Sequence, residues 1–377
     1  MHFKIDKVVF FGYHETVEKH KKHTEEFLKQ YCGVKTVVFH SLSSHDLQSV
    51  LNTLRKQVEY EKGQKNRVYV DITGGESLIL AAMGMLSKEC RIPMHMVDIY
   101  ADRVIELDYC GQAGISQELE ARRIPMTLDL MIRMQGGVIN GDLQKRIKKD
   151  EEAEFTEDTE RIYEVANRYW TYWNPFSAFL RSVMMPTEGL CVSRRTQTVM
   201  NGLLESNTKL RTLTKFNEII DRLADAGILL NVSRSDGHYK LEYKNEELMT
   251  CLMDGGTILE LHTCKVEKER NDEALAGVHL DWDGIIHEQR GVDVLNEIDV
   301  LSLSGNILTF ISCKSGNMGS QQTLHALYEL ETVAGRFGGK YSRKVLVTVK
   351  DIGEVYAERA EEMGIEVRCE SRAPEEY

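Results

Sequence analysis

Asp299 and Lys314 are the two residues of this chain whose types and spacing point most directly to chemistry. They lie in one run, residues 292–316 (VDVLNEIDVLSLSGNILTFISCKSG), which reads as a strand, a tight Ser-Gly-Asn turn and a second strand. Side chains two apart leave the same face of a strand. Glu297 and Asp299 therefore share a face, and Ser312 and Lys314 share one on the partner strand. Ile298, Val300, Ile307 and Ile311 suit the packed side. A carboxylate can hold a divalent cation that activates water and offsets phosphate charge, and a lysine can orient the nucleophile or stabilise the transition state. The chemistry such a set could perform is hydrolysis of a phosphodiester. An ordinary amphipathic hairpin with a polar outer face has the same alternation, so the flanking elements must decide.

Upstream, residues 257–266 (TILELHTCKV) have helical spacing and place Glu260 on a helix. Downstream, residues 321–337 (QQTLHALYELETVAGRF) are periodic and stop at Gly338-Gly339. A strand (KVLVTV, 344–349), a helix (EVYAERAEEMG) and a last strand (IEVRC, 365–369) follow. The order helix–strand–strand–helix–strand–helix–strand resembles the PD-(D/E)xK, or restriction-endonuclease-like, fold. Within it, the run NEIDVL…CKSG…GRFGGK is similar to nuclease domains attached to CARF domains, the sensors of cyclic oligoadenylates in type III CRISPR defence. The resemblance covers about the last third of the chain. It implies a catalytic set of Asp299, Lys314, Glu260, Glu297 and Ser312. It also implies Mn2+ or Mg2+ held by Asp299, by a backbone carbonyl near Cys313 and by Glu260 or Glu297. One position departs from the pattern: the superfamily has Glu or Asp two residues before the lysine, where this chain has Ser312. Serine is a weak metal ligand, so the site is weakened, dead, or active with a migrated carboxylate. The active site is the expectation, because Asp299, Lys314 and two further carboxylates remain.

The N-terminal third alternates continuous apolar strands (VVFFGY, 8–13; TVVFHSL, 36–42; RVYVDIT, 67–73) with helices (15–31, 46–62, 77–89), and 94–99 and 104–107 are further strands. That pattern gives a doubly wound α/β sheet, whose ligands bind beyond the carboxyl ends of the strands. Two loops sit there: Gly12-Tyr13-His14-Glu15, and Asp71-Ile72-Thr73-Gly74-Gly75-Glu76-Ser77. The second has glycines for close approach, two hydroxyls and a following helix N-terminus. It is neither a Walker A loop nor a GxGxxG fingerprint. Strand–DITGG–helix is similar to the ligand loop of CARF domains, which are dimeric Rossmann-like sensors, over about the first 140 residues. The resemblance implies that Gly12, Tyr13, His14, Thr73, Gly74, Gly75, Glu76 and Ser77 line a cyclic tetra-adenylate site. It also implies a homodimer whose two-fold axis matches that of the ring.

Residues 142–160 (DLQKRIKKDEEAEFTEDTE) flip from basic to acidic and read as a solvated linker. Residues 216–244 (FNEIIDRLADAGILLNVSRSDGHYKLEYK) give an amphipathic helix, a glycine stop and two strands about a Ser-Asp-Gly turn, an order that resembles a winged helix. Its helix carries Glu218, Asp221 and Asp225 against Lys215 and Arg222, too acidic a face for phosphates. A spacer or dimerisation element is expected. The expected layout is therefore a CARF domain at 1–145, a linker and winged-helix-like segment at 146–254 and a nuclease domain at 255–377.

The chain has 377 residues and eight scattered cysteines without a CxxC, which suits reduced cytoplasmic thiols rather than structural zinc. No run approaches a membrane span, and no signal peptide is evident. The net charge of −12 divides into +2 for residues 1–150, −5 for 151–256 and −9 for 257–377. Non-specific grip on nucleic acid should therefore be weak. Lys340, Arg343 and Lys344 form a local basic patch, read as solvated loop charge. The expected substrate is single-stranded DNA or RNA, or nicked duplex. Two other readings are a ligand-responsive DNA-binding regulator with a degenerate nuclease domain, and a nucleotide-ring hydrolase using His14 and Glu15.

Overall fold

The computed structural model describes residues 5–43, 45–101, 103–115, 126–143, 152–205, 210, 213–282 and 295–370. Residues 292–294 of the expected first hairpin strand, and 144–151 of the expected linker, lie outside the described residues. The chain divides into two compact units, Met1–Val138 with Gly305–Ile307, and Ile139–Ser304 with Leu308–Tyr377.

In the first unit, β1 (Lys7–Tyr13) runs parallel to β2 (Thr36–Leu42), in register from Lys7 opposite Thr36 to Tyr13 opposite Leu42, with α1 (His14–Gln30) as the crossover. Helix α2 (Leu47–Gly63) starts at Asp46, whose carboxylate accepts the Ser49 amide at 2.8 Å. The short β3 (Val70–Asp71) is joined through α3 (Ser77–Cys90) to its parallel neighbour β4 (Met94–Asp98). The chain then turns back antiparallel into β5 (Arg103–Leu107) and β6 (Ala113–Ile115). The link over residues 99–102 is too short for a crossover helix, so the parallel order expected of a doubly wound sheet stops at β4. Val50, Leu51, Leu54 and Val58 of α2 meet Ile79, Ala82 and Leu86 of α3 in one core with Leu42 and Val70. Helix α4 (Leu128–Met134) is capped by Thr127.

The second unit opens with β7 (Val138–Gly141) and α5 (Glu152–Val183). Helix α5 buries Phe155, Ile162, Ala166, Trp173, Phe176 and Leu180 at three-, four- and seven-residue spacing, and it kinks at Tyr169 (φ −129°, ψ 22°). After β8 (Cys191–Arg195), α6 (Thr196–Glu205) and α7 (Leu213–Asp225) come β9 (Leu229–Ser233) and β10 (His238–Tyr243). The strands form an antiparallel sheet in the order β8-β10-β9 beside α7, the winged-helix-like arrangement with a third strand that lies outside residues 216–244. Asp236 and Gly237 both take positive φ (54° and 68°), as a tight hairpin turn requires.

Helices α8 (Glu246–Met253) and α9 (Thr257–Arg270) lead into β11 (Glu273–Asp281), β12 (Leu295–Ser304), β13 (Ile307–Lys314), α10 (Ser320–Phe337), β14 (Arg343–Thr348), α11 (Glu354–Glu362) and β15 (Ile365–Cys369). The six-stranded sheet has the order β15-β14-β13-β12-β11-β7, with β11 antiparallel to β12, and β13, β14 and β15 parallel. Strand β11 is absent from the sequence reading, although Ala274, Ala276, Val278 and Leu280 alternate inward along it. Every residue of β13 but Lys314 is buried, as in a strand covered on both faces. One core runs from Phe155 of α5 through Phe216 of α7 and Leu259 of α9 to Val300, Ile311, Cys313 and Val345 of the sheet. Glu267 is buried and fixes α9 to the sheet, accepting from Ser302 Oγ at 2.9 Å on β12 and from Arg368 at 2.9 Å on β15. Glu260 lies two turns earlier on the same helix face.

Candidate active site

The hairpin brings Asp299, Ser312 and Lys314 together. Asp299 Oδ2 accepts the Cys313 amide at 2.6 Å, the Ser312 hydroxyl at 3.0 Å and the Lys314 ammonium at 3.4 Å. Three donors on one oxygen hold the carboxylate in one orientation. Burial works to lower the Lys314 pKa, but Asp299 and then Glu329 outweigh it and the net shift is upward. Lys314 is therefore a permanent cation at neutral pH and cannot serve as a base. With Glu297 and Glu329 these residues line a cavity of about 160 Å3, whose apolar wall is Ile298, Leu330 and Val333.

Glu260 carries the most perturbed carboxyl near the site, pushed up to about 8 by burial and then by the negative charges of Asp299, Asp254 and Glu297. Glu297 itself is exposed and has His279 at 3.7 Å. The group of Cys313 turned to Asp299 is its amide, a donor, whereas the sequence reading looked to a carbonyl there. Burial pushes the Cys313 thiol well up and it points to Thr263, so it is an inert filler. Two carboxylates escaped the sequence reading. Glu329 comes from α10 and Asp254 from the turn before α9, and neither follows a period that would single it out. Lys344 of the expected basic patch is tied to Glu331 and to the Met363 carbonyl.

The donor set fits a hard divalent cation. Asp299 and Glu260 offer oxygen, and the buried carboxyl group lacks enough positive charge, which is why Glu260 retains a proton near neutrality. Among the described residues no three His, Cys, Asp or Glu side chains converge as a ready cage. Ser312 spends its hydroxyl on Asp299.

In the first unit, Gly12 is buried at the end of β1, Tyr13 stacks on His45 at 4.2 Å, and His14 and Glu15 are exposed in the first turn of α1. His45 was not singled out from sequence. In the second loop, Thr73 donates its amide to Asp71, and its hydroxyl accepts the Val97 amide at 2.9 Å, which ties the loop to β4. Gly75 has φ 145°, a conformation side chains rarely adopt, and Gly74, Glu76 and Ser77 are exposed. Neither α1 nor α3 has a side-chain cap, so their first-turn amides are open to an anion or to water.

No curated protein of known function matches the chain in sequence. Among solved structures, protein VC1899 from Vibrio cholerae is similar over 97% of this chain and 88% of its own, with a TM-score of 0.68 and 17% identity. Can2 from Sulfobacillus thermosulfidooxidans, solved with cyclic tetra-adenylate, is similar over 96% of this chain and 86% of its own, with a TM-score of 0.59 and 12% identity. Those likenesses establish a shared fold. The family model described as "Card1-like, endonuclease domain" matches residues 245–375, the stretch that contains Asp254, Glu260, Asp299, Ser312, Lys314 and Glu329. Residues 245–375 of this chain are therefore similar to the Card1-like endonuclease domain.

Proposed function

We propose that this chain is a metal-dependent nuclease switched on by a cyclic oligoadenylate, cyclic tetra-adenylate in the first instance, in type III CRISPR defence. The observation that carries the reading is the Asp299–Ser312–Lys314 cluster beside a cation-deficient Glu260, inside the endonuclease domain. Asp299 and Glu260 would hold Mn2+ or Mg2+, which when bound activates water and offsets phosphate charge. Lys314, always protonated, supplies the positive charge that meets the developing charge on the phosphoryl oxygens. Ser312 and the Cys313 amide hold Asp299 in one orientation. Glu260 must lose its proton before it can bind a cation, so the pH of the assay matters.

The layout that goes with this reading is a sensing segment at 1–145, a connecting segment at 146–254 and a nuclease at 255–377, in a cytoplasmic homodimer. The ring would sit on the loops 12–14 and 73–77, whose glycines and uncapped helix ends suit phosphates. Single-stranded DNA or RNA, or nicked duplex, is the substrate class. The DNA-binding regulator is disfavoured by α7: Lys215 is held by Glu218 at 2.7 Å and Arg234 by Asp221 at 2.6 Å, leaving little charge for a duplex.

The test is cleavage of labelled single-stranded RNA, single-stranded DNA and supercoiled plasmid with Mn2+ or Mg2+, with and without cyclic tetra-adenylate. Ligand-dependent cutting should fall by about 10²–10³-fold in Lys314→Ala, the usual cost of one lost transition-state donor. Tight ring binding without cutting, together with one sharp footprint on DNA, would favour the regulator.

A further inference from the structure

Asn174 lies on α5, in a stretch that no motif touches, yet it meets both loops that carry the nuclease residues. Ser315, the residue after Lys314, is buried and donates its hydroxyl to Asn174 Oδ1 at 3.1 Å. A Cβ on the next residue, Gly316, would lie 3.0 Å from Asn174 Nδ2. On the other side, a Cβ on Gly255 would lie 2.9 Å from Asn174 Cγ and 3.2 Å from its Cα. Gly255 belongs to the turn Asp254-Gly255-Gly256 that opens α9, where the Gly256 amide donates to Asp254 at 3.1 Å. A Cβ on Gly256 would stand 3.1 Å from Glu260 Oε1, so this turn lies directly against the Glu260 carboxyl. Both loops thus press glycine backbone on one amide: a Cβ at Gly255 would overlap it, and one at Gly316 would force it to give by a few tenths of an ångström. Asn174 cannot drift away, because its neighbours Trp173 and Phe176 are fully buried in the core.

We propose that Asn174 is a positioning residue of the nuclease site. Its amide spans the turn before Glu260 and the turn after Lys314 and so sets the spacing between the carboxylates and the lysine. The proposal rests on the nuclease reading above. A site whose charged groups are only partly paired depends on such support, since small misplacements of reacting groups cost large factors in rate.

The experiment uses the full chain with Mn2+ and cyclic tetra-adenylate and measures three quantities: Mn2+ affinity by calorimetry, kcat and KM for the cleaved strand, and Tm. Asn174→Ala should lower Mn2+ affinity or kcat by about 10–100-fold, the range seen when groups supporting a metal site are lost, with KM and Tm nearly unchanged. Asn174→Asp keeps the acceptor for Ser315 and should hold Mn2+ within about threefold of the parent, well short of that loss. Gly255→Ala collides with Asn174 and should be impaired. The double variant Gly255→Ala/Asn174→Ala should then be no worse than the poorer single variant, because the two changes act on one contact. The proposal is overturned if Asn174→Ala keeps the parent's kcat and Mn2+ affinity. It is also overturned if every loss follows a fall in Tm, or if the double variant loses the product of the two single losses. A parent chain that neither binds Mn2+ nor cuts would overturn the nuclease reading, and this one with it.

Discussion

At the scale of single residues, the site is governed by an imbalance of charge. Asp299 accepts three donors and Lys314 is held positive, but Glu260, its carboxyl largely shielded from water, feels the negative charges of Asp299, Asp254 and Glu297 more than the positive charge of Lys314. Its folded pKa of about 8 stands above the ordinary 4.5, so the folded, metal-free chain binds a proton that the unfolded chain releases. Stability is therefore fully present below pH 4.5 and declines as pH rises towards about 8. Glu260→Gln removes that penalty. Thermal melts in chelator should show the variant gaining about 3 °C or more over the parent at pH 8.5 and almost nothing at pH 5, while it loses cleavage. Divalent cation should rescue the parent at pH 8.5 and leave Glu260→Gln unmoved. A parent whose Tm is flat between pH 5 and 8.5 would mean that burial and neighbouring charge do not raise the Glu260 carboxyl. Asp299, Glu297, Ser312 and Lys314 could be picked out in the sequence because a period of two places them on two strand faces. Glu329 and Asp254 could not, because only the packing of α10 and the turn before α9 brings them near.

At the scale of elements, the legible parts were those with a strong local period or a turn signal. The β12–β13 hairpin, α9, α10 and the β9–β10 wing stand as read, since their alternation and glycine stops are local properties. Strand β11 alternates as clearly, and β8 carries no local turn signal because its partner β10 lies far along the chain. The antiparallel turn of β4 into β5 depends on a short link rather than on residue type. Loop 73–77 has a restrictive backbone, because Gly75 holds φ 145° and a Cβ there would stand 3.4 Å from Leu80 Cδ2. Gly75→Ala is strained by backbone conformation more than by contact. It should weaken cyclic tetra-adenylate binding by about tenfold, as strain of 1–3 kcal/mol implies, and leave the cutting rate at saturating ligand near the parent's. Calorimetry with the ring and a cleavage titration separate these effects. Unchanged ring affinity would remove this loop from the site.

At the scale of the whole molecule, charge and symmetry bear on how the chain would be used. The −12 is not spread evenly: residues 1–150 carry +2 and residues 257–377 carry −9. On the proposed function, an anionic ring would meet its least unfavourable field over residues 1–150, and a nucleic acid strand would meet repulsion over residues 257–377 except where a cation and Lys314 offset it. Few phosphates can be neutralised there, so cleavage at sub-saturating strand should fall only gently with salt, with a log–log slope of about −1 to −2 for a single strand. Symmetry sets the stronger constraint. Each chain presents the loops 12–14 and 73–77 once, whereas a ring of four identical nucleotides repeats itself on a half-turn. One ring is met identically on both sides only by two chains related by a two-fold axis. Titration of cyclic tetra-adenylate into the chain should therefore saturate at one ring per two chains, and the mass in solution should be that of a dimer at saturation. Saturation at one ring per chain, on a monomer, would leave each ring half-contacted and would remove the two-fold match as the basis of recognition. The activating step would then have to lie within a single chain.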